Sequence, residues 1–321
     1  MENDAAHSLA PLDWWHVGEA SVFVLLAATI SFIMGTGLEI SLITASIRCV
    51  IQLTMMGYVL DDVLASDNAG VVILMSFTLV LLGAYEATFN RARKTFKGMF
   101  VSMLCILLVS NVFIGFLGSA LALQEKPFWT PTKFIPIIGM LLGNTMGTIA
   151  VATEQCLDNI CVHAPILEAR LAFGASRYEA AKPLAIDAIR VSVIPIITQL
   201  SVMGLINIPG MMTGQLMAGM PMLDAVIYQQ AIMFMIAASS TLGAIMAVGT
   251  SFAVLIDSHH CLRFDRVHEQ RSLIPRRLVI RAQAFLQQKL LEVRHYTKTL
   301  AKTTRHRRWQ RVRTEEQIEM D

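Results

Sequence analysis

Few side chains in this 321-residue sequence combine a reactive type with an unusual setting. Arg48 sits inside an apolar run, where an arginine at bilayer depth costs at least ~2.5 kcal/mol and must face protein or a water-filled path. Gln52 follows one helical turn later on the same face, so the two line one polar seam. That seam is a substrate or anion contact, or it is a buried arginine tied to helix-end carbonyls. Asn144, beside Gly143, lines a path or, more simply, makes a hydrogen bond between small-residue helix faces. Pro209-Gly210-Met211-Met212-Thr213-Gly214 breaks helix, and irregular backbone at membrane depth is tolerated only where protein or a cavity covers it. It reads as a re-entrant turn near the exit of a path.

Other groups are given quieter roles. Of the 19 methionines, Met203, Met211, Met212, Met217, Met220 and Met222 gather around that turn. Thioethers select soft ions such as Cu(I), but methionine also fills gaps in apolar packing, and gap filling is the preferred reading. Cys156, Cys161 and His163, with Asp158 nearby, and His259, His260 and Cys261 are conceivable ligands. Their spacing is not a zinc-finger pattern, so no metal site is assigned. Glu86 and Glu154 fall near the ends of apolar runs, where snorkelling to the interface accounts for them. No Gly-Lys dipeptide occurs, hence no Walker A loop to cradle ATP phosphates. No Ser/His/Asp or metalloprotease motif stands out, so no catalytic residue is expected and the chain is read as no enzyme.

These residues must be positioned by membrane helices. The chain is 55% hydrophobic and 16% charged, against about 25% charged in soluble domains. Its mean hydropathy is +0.56. Apolar runs near the ~20 residues that cross a bilayer recur at 20–38, 40–60, 70–88, 99–123, 134–156, 189–208 and 224–256. The expected fold is therefore all-α and polytopic, with seven transmembrane helices. Five scattered cysteines suggest no disulfide framework. The acidic start (Glu2, Asp4, Asp13) lacks the basic segment of a cleaved signal peptide, and Trp14 and Trp15 suit an interfacial anchor.

Charge sets the expected orientation. Arg91, Arg93, Lys94 and Lys97 form a basic loop, whereas Asp61, Asp62 and Asp67 form an acidic one, so the basic loop faces the cytosol. Residues 1–19 then lie outside, 20–256 form the membrane domain with a cytosolic loop at 157–188, and 257–321 form a cytosolic tail. That tail carries 15 Lys and Arg against 8 Asp and Glu, a surplus of +7. Leu278, Phe285, Leu286, Leu290, Val293, Tyr296 and Leu300 share one helical face in it. This reads as a basic helix lying on anionic lipid, or as a partner-packed or solvated one. Nucleic-acid binding makes little sense on a seven-span chain.

The loop between the fifth and sixth runs is polar and helix-forming. Glu168-Ala169, Gly174-Ala175-Ser176 and Glu179-Ala180-Ala181 predict two short helices turning at Gly174. This hairpin resembles the EAA loop by which permease subunits of ABC transporters dock onto their ATPase. Three further stretches extend the likeness. They are Ile47-Arg48-Cys49-Val50-Ile51-Gln52-Leu53 with Gly57-Tyr58-Val59-Leu60; Ile135-Pro136-Ile137-Ile138-Gly139-Met140 with Gly143-Asn144; and Gly204-Leu205 with Ile208-Pro209-Gly210-Met211-Met212-Thr213-Gly214 and Ala218-Gly219. Together with the hairpin, Ile189-Arg190 and Ile194-Pro195, they resemble the FetB-type permeases, the bacterial iron-export subunits and plant aluminium-tolerance half-transporters. The likeness spans 40–256. One departure stands out: the family's usual Asp and Lys after the Ile-Pro of span six are here Thr198 and Ser201. The tail beyond Asp257 is also longer than bacterial members have.

The resemblance implies a permease subunit, paired with a second copy and with two copies of a separate ATPase that binds the ATP. The chain itself then needs no cofactor. Glu168, Ala169, Gly174, Ala175 and Glu179 would couple to the ATPase, and the cargo would be a metal ion, iron first, with a nucleotide sugar the alternative. A seven-span receptor shares the topology but has no use for the polar hairpin. A proton-coupled secondary transporter would need acidic groups near the midplane, where this sequence places none.

Overall fold

The computed structural model describes residues 13–64, 68–92, 94–123, 130–257, 261–263 and 267–269. Asp67, Arg93, His259, His260 and the tail helix expected beyond residue 271 lie outside them. The described chain is helical apart from one short two-stranded ribbon. Its elements are α1 (Trp14–Met34), α2 (Glu39–Leu64), α3 (Ala69–Tyr85), β1 (Lys94–Phe96), α4 (Met99–Leu107), α5 (Phe113–Leu117), α6 (Pro131–Val162), α7 (Ala164–Ala172), α8 (Arg177–Val202), α9 (Gly210–Met217), α10 (Met222–Leu255) and β2 (Val267–Glu269). Among the described residues, seven helical stretches are long and apolar enough to cross a membrane: Trp14–Met34, Glu39–Asp61, Ala69–Arg91, Met99–Ala122, Pro131–Val162, Arg177–Val202 and Met222–Leu255.

The chain divides into two compact units, one containing Met1–Gly57 and the other Tyr58–Arg271. In the first, Gly35 closes α1 with a left-handed φ of 69°. The Ser31 and Thr36 hydroxyls lie 2.6 Å apart across the turn, and Ser31 donates to the buried Glu39 carboxylate at 3.4 Å. Hydroxyls thus receive the acid that opens α2.

In the second unit, α6 and α10 pack along each other, flanked by α3 and α8. Close approach is possible because Gly243 of α10 lacks a side chain: a Cβ there would lie 2.9 Å from Thr145 Cγ2 and 3.0 Å from Ile149 Cδ1. Small residues at such crossings substitute for the hydrophobic drive that lipid does not supply. The main apolar cluster holds Val80, Met103, Leu107, Ile149, Leu157, Val248 and Leu255. A second gathers Ile137, Leu141, Ile196, Ile232 and Ile236.

Three sequence expectations are refined. The segment 157–188, expected as a loop between spans, is mostly continuous with them: α6 runs on to Val162, and α8 starts at Arg177 and passes Pro183 and Pro195 without a break. Helix-favouring Ala, Glu and Leu outweigh two prolines, whose missing donors neighbouring groups make tolerable in membrane helices. The stretch Pro209–Gly214, expected as a helix-breaking re-entrant turn, instead opens the two-turn helix α9, with Pro209 at its N-cap. The chain break falls earlier, where Gly204 takes φ +83° and donates to Asn207 O at 3.0 Å. The fourth span is interrupted by π-helical stretches at Leu108–Val112 and Gly118–Ala122, and α3 ends in another at Glu86–Arg91.

Candidate functional site

The hairpin predicted around Gly174 is built by α7 and α8 with only residues 173–176 between them. Pro165 lies in the first turn of α7, where its missing donor matters least. At the other end Gly174, at φ +90°, donates to Leu171 O and Ala175 donates to Arg170 O, both at 3.1 Å. This is a Schellman closure, and its left-handed position suits glycine. The return helix starts at once. Ser176 Oγ accepts from Glu179 N at 3.3 Å, while the Glu179 carboxylate accepts from Ser176 N at 2.9 Å and from its hydroxyl at 2.7 Å. A helix stop and a capping box therefore meet across the four-residue connection 173–176, which leaves the turn little freedom.

One face of the hairpin is buried and the other is open. Leu167 and Leu171 of α7, with Ala180, Ala181 and Ala188 of α8, belong to the main apolar cluster beside Leu157 and Ile160. Glu168, Ala169, Gly174 and Glu179 are exposed and Ala175 is half-buried. Phe173, 93% exposed, and Tyr178, 73% exposed, present aromatic rings at the tip. At the base, Asn159 Nδ2 donates to Asp187 Oδ2 at 3.1 Å and its amide oxygen accepts from Gln155 at 3.1 Å. Lys94 Nζ lies 2.6 Å from Asp158 Oδ1. The hydrogen bond to Asp158 holds the Lys94 ammonium above the usual lysine range.

The residues expected to line a path are more scattered. Arg48 and Gln52 lie a turn apart on α2, within the first unit. Asn144 is half-buried on α6, and its amide donates to Met140 O of its own helix at 2.9 Å. Pro209 and Gly210 start α9, and Met211 packs against the second apolar cluster together with Met203, a gap-filling position. Met212 is half-buried on α9. Thr198 and Ser201 return their hydroxyls to Ile194 O at 3.0 Å and Ile197 O at 2.9 Å, so the helix itself satisfies them. Cys156 is buried and Cys161 exposed. Among the described residues no group of three or more His, Cys, Asp or Glu is arranged to hold a metal ion.

A polar seam escaped the sequence reading. Ser239 Oγ lies 3.0 Å from Thr145 Oγ1, 3.0 Å from Asn111 Oδ1 and 3.1 Å from Ser110 O, joining α10, α6 and the π-helical stretch of the fourth span. Asn111 Nδ2 donates to Leu107 O at 3.0 Å, which fixes its amide orientation. Ser110, Asn111, Thr145 and Ser239 are all fully buried. The only signal in the sequence was the pairs Ser110-Asn111 and Ser239-Ser240 inside otherwise apolar runs.

Seven spanning helices with a polar helical hairpin between the fifth and sixth define an integral, polytopic α-helical membrane protein. Residues 14–255 match the model of the Uncharacterised protein family (UPF0014), and the chain belongs to that family. It is 34% identical over 260 residues to a UPF0014 membrane protein of Synechocystis sp., covering 80% of this chain and 98% of the relative. It is 34% identical over 226 residues to Protein ALUMINUM SENSITIVE 3 of Arabidopsis thaliana, covering 70% and 81%. Identity to the Probable iron export permease protein FetB of Escherichia coli is 28% over 243 residues, covering 76% and 92%. No solved structure matches.

Proposed function

We infer that this chain is the membrane-spanning permease subunit of an ABC transporter, working with a separate ATPase and a second copy of itself. The observation that carries the reading is the hairpin: a tip clamped by a helix stop and a capping box, open on one face and fused to the main core on the other. Such a part transmits force without absorbing it. Closure of the ATPase pair on ATP would displace the tip, and α6 and α8, which run unbroken from the hairpin into the membrane, would carry the displacement to the spans. The basic residues Arg91, Arg93, Lys94 and Lys97 favour a cytosolic location for the hairpin side and an external N-terminus.

The kinship with a protein named as an iron export permease favours a metal ion, iron first, as cargo. Thr198 and Ser201, standing where the family usually carries an acid and a lysine, keep the cargo the open part of this reading.

The test is a mild-detergent pull-down of the tagged chain with mass spectrometry of its companions. A stoichiometric nucleotide-binding subunit, lost on Glu168→Lys, is the expected result. A folded chain that brings down no such subunit overturns the reading and turns attention to a receptor or a proton-coupled transporter.

A further inference from the structure

The chain that leaves the last span comes back to the base of the hairpin. Beyond Leu255, Ile256 bridges to Leu262, and Arg263 pairs with Asp257 at 3.0 Å. Then β2 pairs antiparallel with β1, setting Lys94 opposite Glu269 and Phe96 opposite Val267. A lone two-stranded ribbon is marginal in water. This one is anchored by its side chains. Phe96 is buried in the same apolar cluster as Leu167 and Leu171 of the hairpin, with Val267 packed against that cluster. Lys94 reaches from the ribbon to Asp158 on the last turns of α6, the two side chains being 23% and 48% exposed. The next residue, Asn159, holds Asp187 on α8.

We propose that Lys94 is a positioning residue for the hairpin: its ion pair with Asp158 ties α6 and, through the neighbouring Asn159–Asp187 bond, α8 to the β-ribbon. A displacement at the tip then reaches spans three, four and seven as well as five and six. This rests on the permease reading for the source of the displacement. The topology supports the load path directly. The strand β1 connects the third span to the fourth, β2 follows the seventh, and α6 and α8 are the fifth and sixth. Without the ribbon the hairpin would act on the other spans through apolar packing alone. With it, the cytosolic ends of five spans share one anchorage.

The test uses the chain reconstituted with its co-purified ATPase, as Lys94→Glu, Asp158→Lys and the exchanged pair, with Lys94→Met as a milder variant. Iron transported per ATP hydrolysed and amide hydrogen exchange of residues 164–175 are measured together. Each single variant is expected to keep its ATPase and its hydrolysis but to lose roughly twofold to fivefold in transport per ATP, the range a partly exposed pair supplies. Hairpin amides should exchange faster by a similar factor, and the exchanged pair should restore both. Unchanged exchange and unchanged coupling in Lys94→Glu and Lys94→Met overturn the proposal, as does an exchanged pair no better than the singles. If the unaltered chain brings down no ATPase, the permease reading fails by itself. The exchange measurement then decides the role of Lys94 alone: faster hairpin exchange restored by the swap supports it, and anything else refutes it.

Discussion

Gly174 offers a perturbation whose size follows from two observations. Its φ is +90°, and nothing lies within 4 Å of where a Cβ would stand. Substitution there meets no neighbour, so any effect is backbone strain and not crowding. A left-handed conformation costs an ordinary L-residue roughly 1–2 kcal/mol, less for asparagine and more for a β-branched residue. Gly174→Ala should therefore lower the population of the closed turn by about fivefold to thirtyfold. Gly174→Asn should sit near the parent and Gly174→Val beyond alanine. Gly174→Pro should be worst, because it also removes the donor to Leu171 O, now 3.1 Å away. Hydrogen exchange of residues 170–176 in lipid nanodiscs reads the population, and capture of the proposed ATPase partner reads its consequence. Equal exchange in Gly, Ala and Val, or asparagine as damaging as valine, would refute the reasoning that this turn is held by one left-handed residue.

Other perturbations follow from the same geometry. Ser176→Ala removes the capping box and should weaken the start of α8 by about 0.5–2 kcal/mol, seen as faster exchange of residues 177–180. Glu179→Gln preserves the box and should behave as the parent in ATPase capture, whereas Glu179→Lys should not; loss of capture in Glu179→Gln would show that the charge itself docks. Gly243→Ala drives a methyl to 2.9 Å from Thr145 Cγ2 and should destabilise the α6–α10 crossing by about 1–3 kcal/mol, read as a lower melting temperature in detergent. Ser239→Ala deprives Asn111 Oδ1 and Ser110 O of their shared donor and should cost about 1 kcal/mol by the same measurement. A melting temperature unchanged in Ser239→Ala would show that the seam does not hold the spans together.

Much of the fold was legible because bilayer thickness imposes a length rule that local sequence must obey. Seven apolar runs correspond to seven spanning helical stretches among the described residues, and Gly174 marked the turn because a left-handed closure wants glycine. Even the capping box was written out as Ser176-Arg177-Tyr178-Glu179, although Glu179 reads as a docking residue until its bonds to Ser176 are seen. What could not be read depends on partners distant in sequence. Ser239 meets Ser110 and Asn111 across 129 and 128 residues, and β1 finds β2 across more than 170. Nothing local in Lys94-Thr95-Phe96 announces a strand, since its pairing is supplied by a segment beyond the last span. The π-helical stretches were equally hidden, because Ser110-Asn111 marks a polar point in the apolar run but says nothing of the wider winding at Leu108–Val112.

The unbroken helices beside the hairpin have a consequence for the surrounding lipid. At 1.5 Å per residue, α6 with its 32 residues is about 48 Å long, while the hydrocarbon layer is about 30 Å thick. Something like a third of that rod stands clear of the acyl chains, and the hairpin rides on top of it as on a pedestal. The height of the pedestal is whatever length the bilayer does not claim. A thicker membrane submerges its base and brings the tip nearer the headgroups; a thinner one raises it. The height of the hairpin above the headgroups is thus set jointly by the protein and by the lipid in which it stands.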